Sequence, residues 1–157
     1  MADLSTHPVA VLGAGSWGTA LAILLARNGY PVHLWAHHQE HAESMIDPRS
    51  NTRYLPGIHF PELLQVSNNV YEIVEQVRDI LVVVPSHAFR ETLQNIKMHI
   101  NADHRLAWAT KGFEHGTCKL LHQVAHEELD GLIPLAVISG PTFAKEVASG
   151  LPGAVTV

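Results

Sequence analysis

Hydrophobic positions along this chain follow two alternating rhythms. Short runs with almost no polar interruption, such as VAVL at 9–12 and ILVVV at 80–84, read as strands covered on both faces. Between them, apolar residues recur at three- and four-residue intervals, the period of a helix with one buried side. The pattern predicts strands at 8–13, 32–36, 64–67, 79–84, 105–109, 134–138 and 153–157. It predicts helices at 16–28, 39–47, 69–77, 87–99, 117–129 and 142–149. Asn28-Gly29-Tyr30-Pro31 is a strong stop for the first helix. Alternation of this kind predicts an α/β fold: a doubly wound, mostly parallel sheet with helices on both faces.

The first strand runs directly into glycines at 13, 15 and 18 and then into the first helix. This is a G-x-G-x-x-G sequence in the strand-then-helix context that gives it meaning. Gly13 permits the tight turn, Gly15 lets a diphosphate approach the backbone, and Gly18 lets the helix pack closely on its strand. The helix start then presents unpaired N–H groups and its positive dipole end to the phosphates. The expectation is a dinucleotide site that includes the N–H groups of Ser16 and Trp17.

Composition narrows the class. A chain of 157 residues, 46% hydrophobic and 16% charged, is long enough for one well-buried domain and is unlike a disordered tail. A net charge of −5, a pI near 6.1 and scattered basic residues lack the footprint of a nucleic-acid binder. The single cysteine, Cys118, excludes an intrachain disulfide and fits a reducing compartment. Residues 8–26 carry no charge, but Ser16, Thr19 and the three glycines break the stretch, and the leader MADLSTHP has Asp3 and no Lys or Arg. They read as a buried strand and helix, with no membrane insertion and a cytoplasmic location.

In an open parallel sheet, ligands bind beyond the carboxyl ends of the strands. After the second strand come Ala36, His37 and His38, where an NAD-specific site usually carries Asp or Glu; the nearest acid is Glu40. With no carboxylate to repel a 2′-phosphate, NADP is admissible beside NAD. Because imidazole is only partly charged near neutral pH, any NADP preference should weaken as pH rises from about 6 to 8. The fourth strand ends in Val84-Pro85-Ser86 and the fifth in Ala109-Thr110-Lys111-Gly112, where Lys111 can reach an anionic or carbonyl oxygen. The sixth leads into Ser139-Gly140-Pro141-Thr142, a predicted helix start and a second anion-receptive turn. Among twelve histidines, His37, His38 and His41 cluster, and His122 and His126 are spaced i, i+4, yet no third ligand stands at motif spacing, so no metal site is expected. Cys118 reads as an ordinary cysteine at a helix start.

Taken together, GAGSWGTA at 13–20, LWAHH at 34–38, NTRYLPG at 51–57, VPS at 84–86, ATKG at 109–112 and SGPTFAKEVA at 139–148 resemble the amino-terminal part of bacterial NAD(P)-dependent glycerol-3-phosphate dehydrogenases. They cover nearly the whole chain in the family's order, and the last is far more family-specific than the first. The resemblance implies a Rossmann-type fold and reversible hydride transfer between NAD(P)H and dihydroxyacetone phosphate, giving sn-glycerol 3-phosphate for phospholipid synthesis. It implies cofactor contacts at Ser16, Trp17, His37, His38, Tyr54, Lys111 and Ala144, and substrate contacts at Lys111, Gly140 and Thr142. Arginine or another basic residue is common in the family where His37 and His38 stand. The family's general base is a lysine of a helical domain, expected here beyond residue 157. The ending GAVTV reads as mid-strand, so residues 1–157 are expected to be a cofactor domain that binds without turnover. A homodimer remains open. Two other readings stand beside this one: a β-hydroxyacid or ketopantoate-type dehydrogenase, and a non-catalytic nucleotide-sensing module.

Overall fold

The computed structural model describes residues 7–140 and 142–157. Six strands form one sheet: β1 (Val9–Leu12), β2 (Val32–Trp35), β3 (Leu64–Ser67), β4 (Asp79–Val82), β5 (Arg105–Trp108) and β6 (Leu135–Val137). Their order is β3-β2-β1-β4-β5-β6, and every pairing is parallel. The order reverses between β1 and β4, which opens a crevice at their carboxyl ends. The helices are α1 (Ser16–Arg27), α2 (Gln39–Ile46), α3 (Val70–Glu75), α4 (Ser86–Ile96), α5 (Leu121–Leu129) and α6 (Ala144–Ala148), with a short 3-10 turn at Lys97–His99 after α4.

Strand alternation divides the core into two layers. Ala10, Leu12, Ile80, Val82, Leu106 and Trp108 face α3, α4 and α5, where Phe89, Leu93 and Val124 meet them. Val11, Leu34, Leu81 and Val83 face the opposite way, toward α1, α2 and α6. Side chains that alternate in direction and are apolar on both sides explain why these strands read as continuous hydrophobic runs. No described helix is long and apolar enough to cross a membrane; residues 8–26 are the β1–α1 unit.

Three expectations change. Residues 153–157 form no strand; they contribute one isolated antiparallel bridge, Ser139 to Thr156. The helix expected over 117–129 starts at Leu121, because Cys118 has a left-handed backbone (φ 57°) and residues 113–120 fold back through a Phe113–Leu120 bridge. Cys118 is therefore an exposed loop residue rather than a helix-start cysteine. The helix expected over 142–149 is only Ala144–Ala148, with Phe143 as its N-cap. Pro141, expected at that helix start, lies outside the described residues.

Candidate functional site

The site is built around the glycine turn. Gly13 continues the ladder through its N–H to the Trp35 carbonyl (3.1 Å) and then turns with φ +123°, a conformation L side chains rarely adopt. A methyl group there would lie 2.8 Å from the Val83 backbone, and one on Gly18 would lie 1.8 Å from the Gly13 carbonyl oxygen. Both glycines are required by the turn itself. Gly15 differs: its backbone is ordinarily extended (φ −74°, ψ −176°) and a methyl on it would meet no atom within 4 Å. The space over Gly15 belongs to the cleft.

Gly15 is also the N-cap of α1, with no side-chain cap and no acidic residue in the first turn. The first intrahelical bond is donated by Thr19 to Gly15, so the N–H groups of Ser16, Trp17 and Gly18 have no acceptor within the helix. An anion above Gly15 would meet oriented donors and the positive end of a twelve-residue helix.

A cleft of about 810 Å³ lies along the carboxyl ends of the strands. Gly13, Gly15, Ser16, Trp17 and Gly18 line it together with His37, His38 and Tyr54. Lys111, Thr142 and Ala144 line it as well. Trp17 lines the cleft and also packs in part against the core. The Lys111 ammonium sits over the Trp17 ring, 5.7 Å from its centroid. Among the described residues Thr142 Oγ1 is buried without a hydrogen-bond partner, and Thr142 lines the cleft. Gly140 is not brought to the cleft. Its missing side chain serves packing, because a Cβ would stand 2.3 Å from the Ala154 carbonyl oxygen.

At the end of β2, the His37 and His38 rings meet edge to face at 4.7 Å, and His37 meets Trp35 at 5.6 Å. Ala36 is buried where a ribose-binding carboxylate would be expected. Tyr54 is held by an edge contact with His41 (5.2 Å), and the Arg53 guanidinium lies over the Tyr54 ring at 5.1 Å. Among the described residues no group of three or more His, Cys, Asp or Glu could hold a metal ion.

Sequence reasoning missed Asn51. It is fully buried and donates to the Ala14 carbonyl (2.9 Å) and Thr19 Oγ1 (2.8 Å), while its Oδ1 accepts from the Tyr54 N–H (3.2 Å) and contacts His41 Nε2 (3.2 Å). One side chain thus joins the glycine turn to the segment that presents Tyr54. No signal within a single sequence marks an Asn as buried in this way. His87, Glu91 and Asn95, which line the cleft from α4, were also missed, although their i, i+4, i+8 spacing puts them on one helix face.

The residues fit a dinucleotide: an open place over Gly15, uncapped helix donors beside it, and an unpartnered hydroxyl across the cleft. Fold and site together define a Rossmann domain of the dinucleotide-binding class. Residues 8–157 match the family model described as NAD-dependent glycerol-3-phosphate dehydrogenase N-terminus. Relatives named glycerol-3-phosphate dehydrogenase [NAD(P)+] include one from Mannheimia succiniciproducens, 52% identical over 99% of this chain and 46% of that protein. Another, from Haemophilus influenzae, is 55% identical over 98% of this chain and 46% of its own. The crystal structure of glycerol-3-phosphate dehydrogenase from Coxiella burnetii superposes with a TM-score of 0.91 at 50% identity, covering 96% of this chain and 46% of that one. The chain belongs to the family of the amino-terminal domain of NAD-dependent glycerol-3-phosphate dehydrogenases, which answers the alternative of a ketopantoate-type enzyme. It spans about half the length of the relatives it matches.

Proposed function

We propose that this chain is the cofactor domain of an NAD(P)-dependent glycerol-3-phosphate dehydrogenase, which interconverts dihydroxyacetone phosphate and sn-glycerol 3-phosphate. The observation that carries the reading is the space over Gly15 beside the uncapped start of α1, in a chain of this family. The N–H groups of Ser16 and Trp17 hold the diphosphate, and Gly13 and Gly18 shape the turn that aims them. His37, His38 and Tyr54 border the adenosine end, and Ala144 borders the cofactor from the far wall. His37 and His38 in place of an acid admit NADP as well as NAD.

The nicotinamide, when bound, supplies or accepts the hydride. Lys111 places a positive charge at the carboxyl end of β5, where it orients the phosphorylated substrate and polarises its oxygen. Thr142 offers its unpartnered hydroxyl to the same molecule. Gly140 contributes by letting its own backbone pack against the Ala154 carbonyl. Proton transfer belongs to a lysine of a helical domain beyond residue 157, so the 157 residues alone bind cofactor and turn over little substrate. The protein acts in the cytoplasm and supplies phospholipid synthesis.

Calorimetric titration of NADPH and NADH, each with and without dihydroxyacetone phosphate, tests the reading. Saturable binding of either nucleotide by residues 1–157, without measurable dihydroxyacetone phosphate-dependent NADPH oxidation, is expected. Absence of nucleotide binding by a folded chain would refute the cofactor role, and efficient turnover by these residues would refute the division of labour.

A further inference from the structure

The chain is fixed just before Lys111, where the Thr110 hydroxyl donates to the Val84 carbonyl (2.8 Å), and Lys111 itself lies past that anchor. It is exposed, its ammonium lies over the Trp17 ring, and it is followed by Gly112 at φ +95° and by exposed Phe113. Between Lys111 and Cys118 a single residue, Glu114, is buried. Its carboxylate accepts from Arg90 Nε at 2.6 Å and Arg90 Nη2 at 3.0 Å, the two-pronged geometry in which arginine binds carboxylates best, and also from the Thr117 hydroxyl. The Glu114 N–H donates to the Lys119 carbonyl (2.9 Å), and the Cys118 N–H donates to the Glu114 carbonyl (3.1 Å), closing the loop on itself. Arg90 stands on α4 and also binds Glu127 (2.8 Å) and Glu128 on α5. The loop that starts at Lys111 is thereby fastened to two helices through one carboxylate.

We propose that Glu114, clamped by Arg90, is a positioning residue that holds Lys111 over Trp17 at the mouth of the cleft. The inference rests on the reading of Lys111 as the substrate-orienting cation. An isolated exposed ion pair would do little of this kind. Here the carboxylate is buried, the pairing is bidentate, and the rest of the segment is exposed, so between the Thr110 anchor and the Phe113–Leu120 bridge the clamp ties the loop to α4. Glu114 touches neither cofactor nor substrate, and it acts through the lysine three residues before it.

The test uses the full-length protein and a double-mutant cycle of Glu114→Ala with Lys111→Ala. Glu114→Ala should raise the KM for dihydroxyacetone phosphate about tenfold, the equivalent of one charge-assisted contact, and leave the Kd for NADPH within about twofold. Glu114→Gln, which keeps the shape and one acceptor, should recover part of the loss; it also serves if the alanine variant fails to fold. In the Lys111→Ala background the same Glu114 substitution should add less than about twofold. Equal effects in both backgrounds, or a lower melting temperature with an unchanged KM, would overturn the positioning role. A Lys111→Ala protein with unaltered KM would remove the role given to Lys111, and this inference with it.

Discussion

Replacing Gly15 by alanine separates what the glycine turn does for the fold from what it does for a ligand. In the structure the added methyl meets nothing within 4 Å, and the backbone conformation is one that alanine adopts without strain. Alanine is a slightly poorer N-cap than glycine, a loss of a few tenths of a kcal/mol to about 1 kcal/mol. Restricting the unfolded chain returns about 0.4–1 kcal/mol. The two nearly cancel, so the melting temperature should move by no more than about 2 °C in a domain of this size. Binding should respond differently. A methyl above the α1 start would hold the diphosphate away from the N–H groups of Ser16 and Trp17. Losing one or two charge-assisted hydrogen bonds costs about 2–4 kcal/mol, or about 30- to 1000-fold in Kd. Thermal melts and NADPH titration of the same preparation read both quantities. A Kd within about threefold of the parent protein would refute the reasoning, since the space over Gly15 would then not be where the diphosphate sits.

Other substitutions probe the surrounding framework. Gly18→Ala should destabilise by about 1–3 kcal/mol, because its methyl would fall 1.8 Å from a backbone oxygen; chemical denaturation would show it, and a parent-like midpoint would contradict the turn geometry. Asn51→Leu, similar in size, should cost about 2–4 kcal/mol, since it strips hydrogen bonds from the Ala14 carbonyl and Thr19, and it should weaken NADPH binding by loosening the Tyr54 segment. Glu114 is held at a pKa of about 2, below its ordinary 4.5, chiefly by its hydrogen bonds from Arg90 and then Thr117. A depressed folded-state pKa contributes stability above pH 4.5 that is lost as pH falls toward 2, so the melting-temperature gap between the parent and Glu114→Gln should narrow over that interval; a constant gap would dismiss the charge.

The sheet was legible because its strands are buried on both faces. ILVVV and VAVL leave periodicity little else to be, and the boundaries of the first six expected strands moved by only a few residues. Loop geometry was not legible in this way. The sequence before α5 looks helical, yet Cys118 takes a left-handed conformation in a loop whose Glu114 pairs with Arg90, 24 positions away. Residues 153–157 have a strand's composition but find one bridging partner, Ser139, so they add no ladder to the sheet. The glycine turn could be read residue by residue: Gly13 and Gly18 answer steric demands of the turn, and Gly15 leaves the space above it open. Asn51 could not, because its partners Ala14 and Thr19 lie more than thirty positions away and nothing near it in sequence records the contact. Gly140 illustrates the converse, as a glycine in a family motif whose steric reason is the Ala154 carbonyl.

The most direct measurement is a crystal structure of the full-length protein grown with saturating NADPH. The diphosphate oxygens should lie within ~3.2 Å of the Ser16 and Trp17 N–H groups, above Gly15, with the adenosine end toward His37 and His38. A nucleotide bound elsewhere, or a glycine turn whose space over Gly15 is filled by the protein's own side chains, would contradict the account.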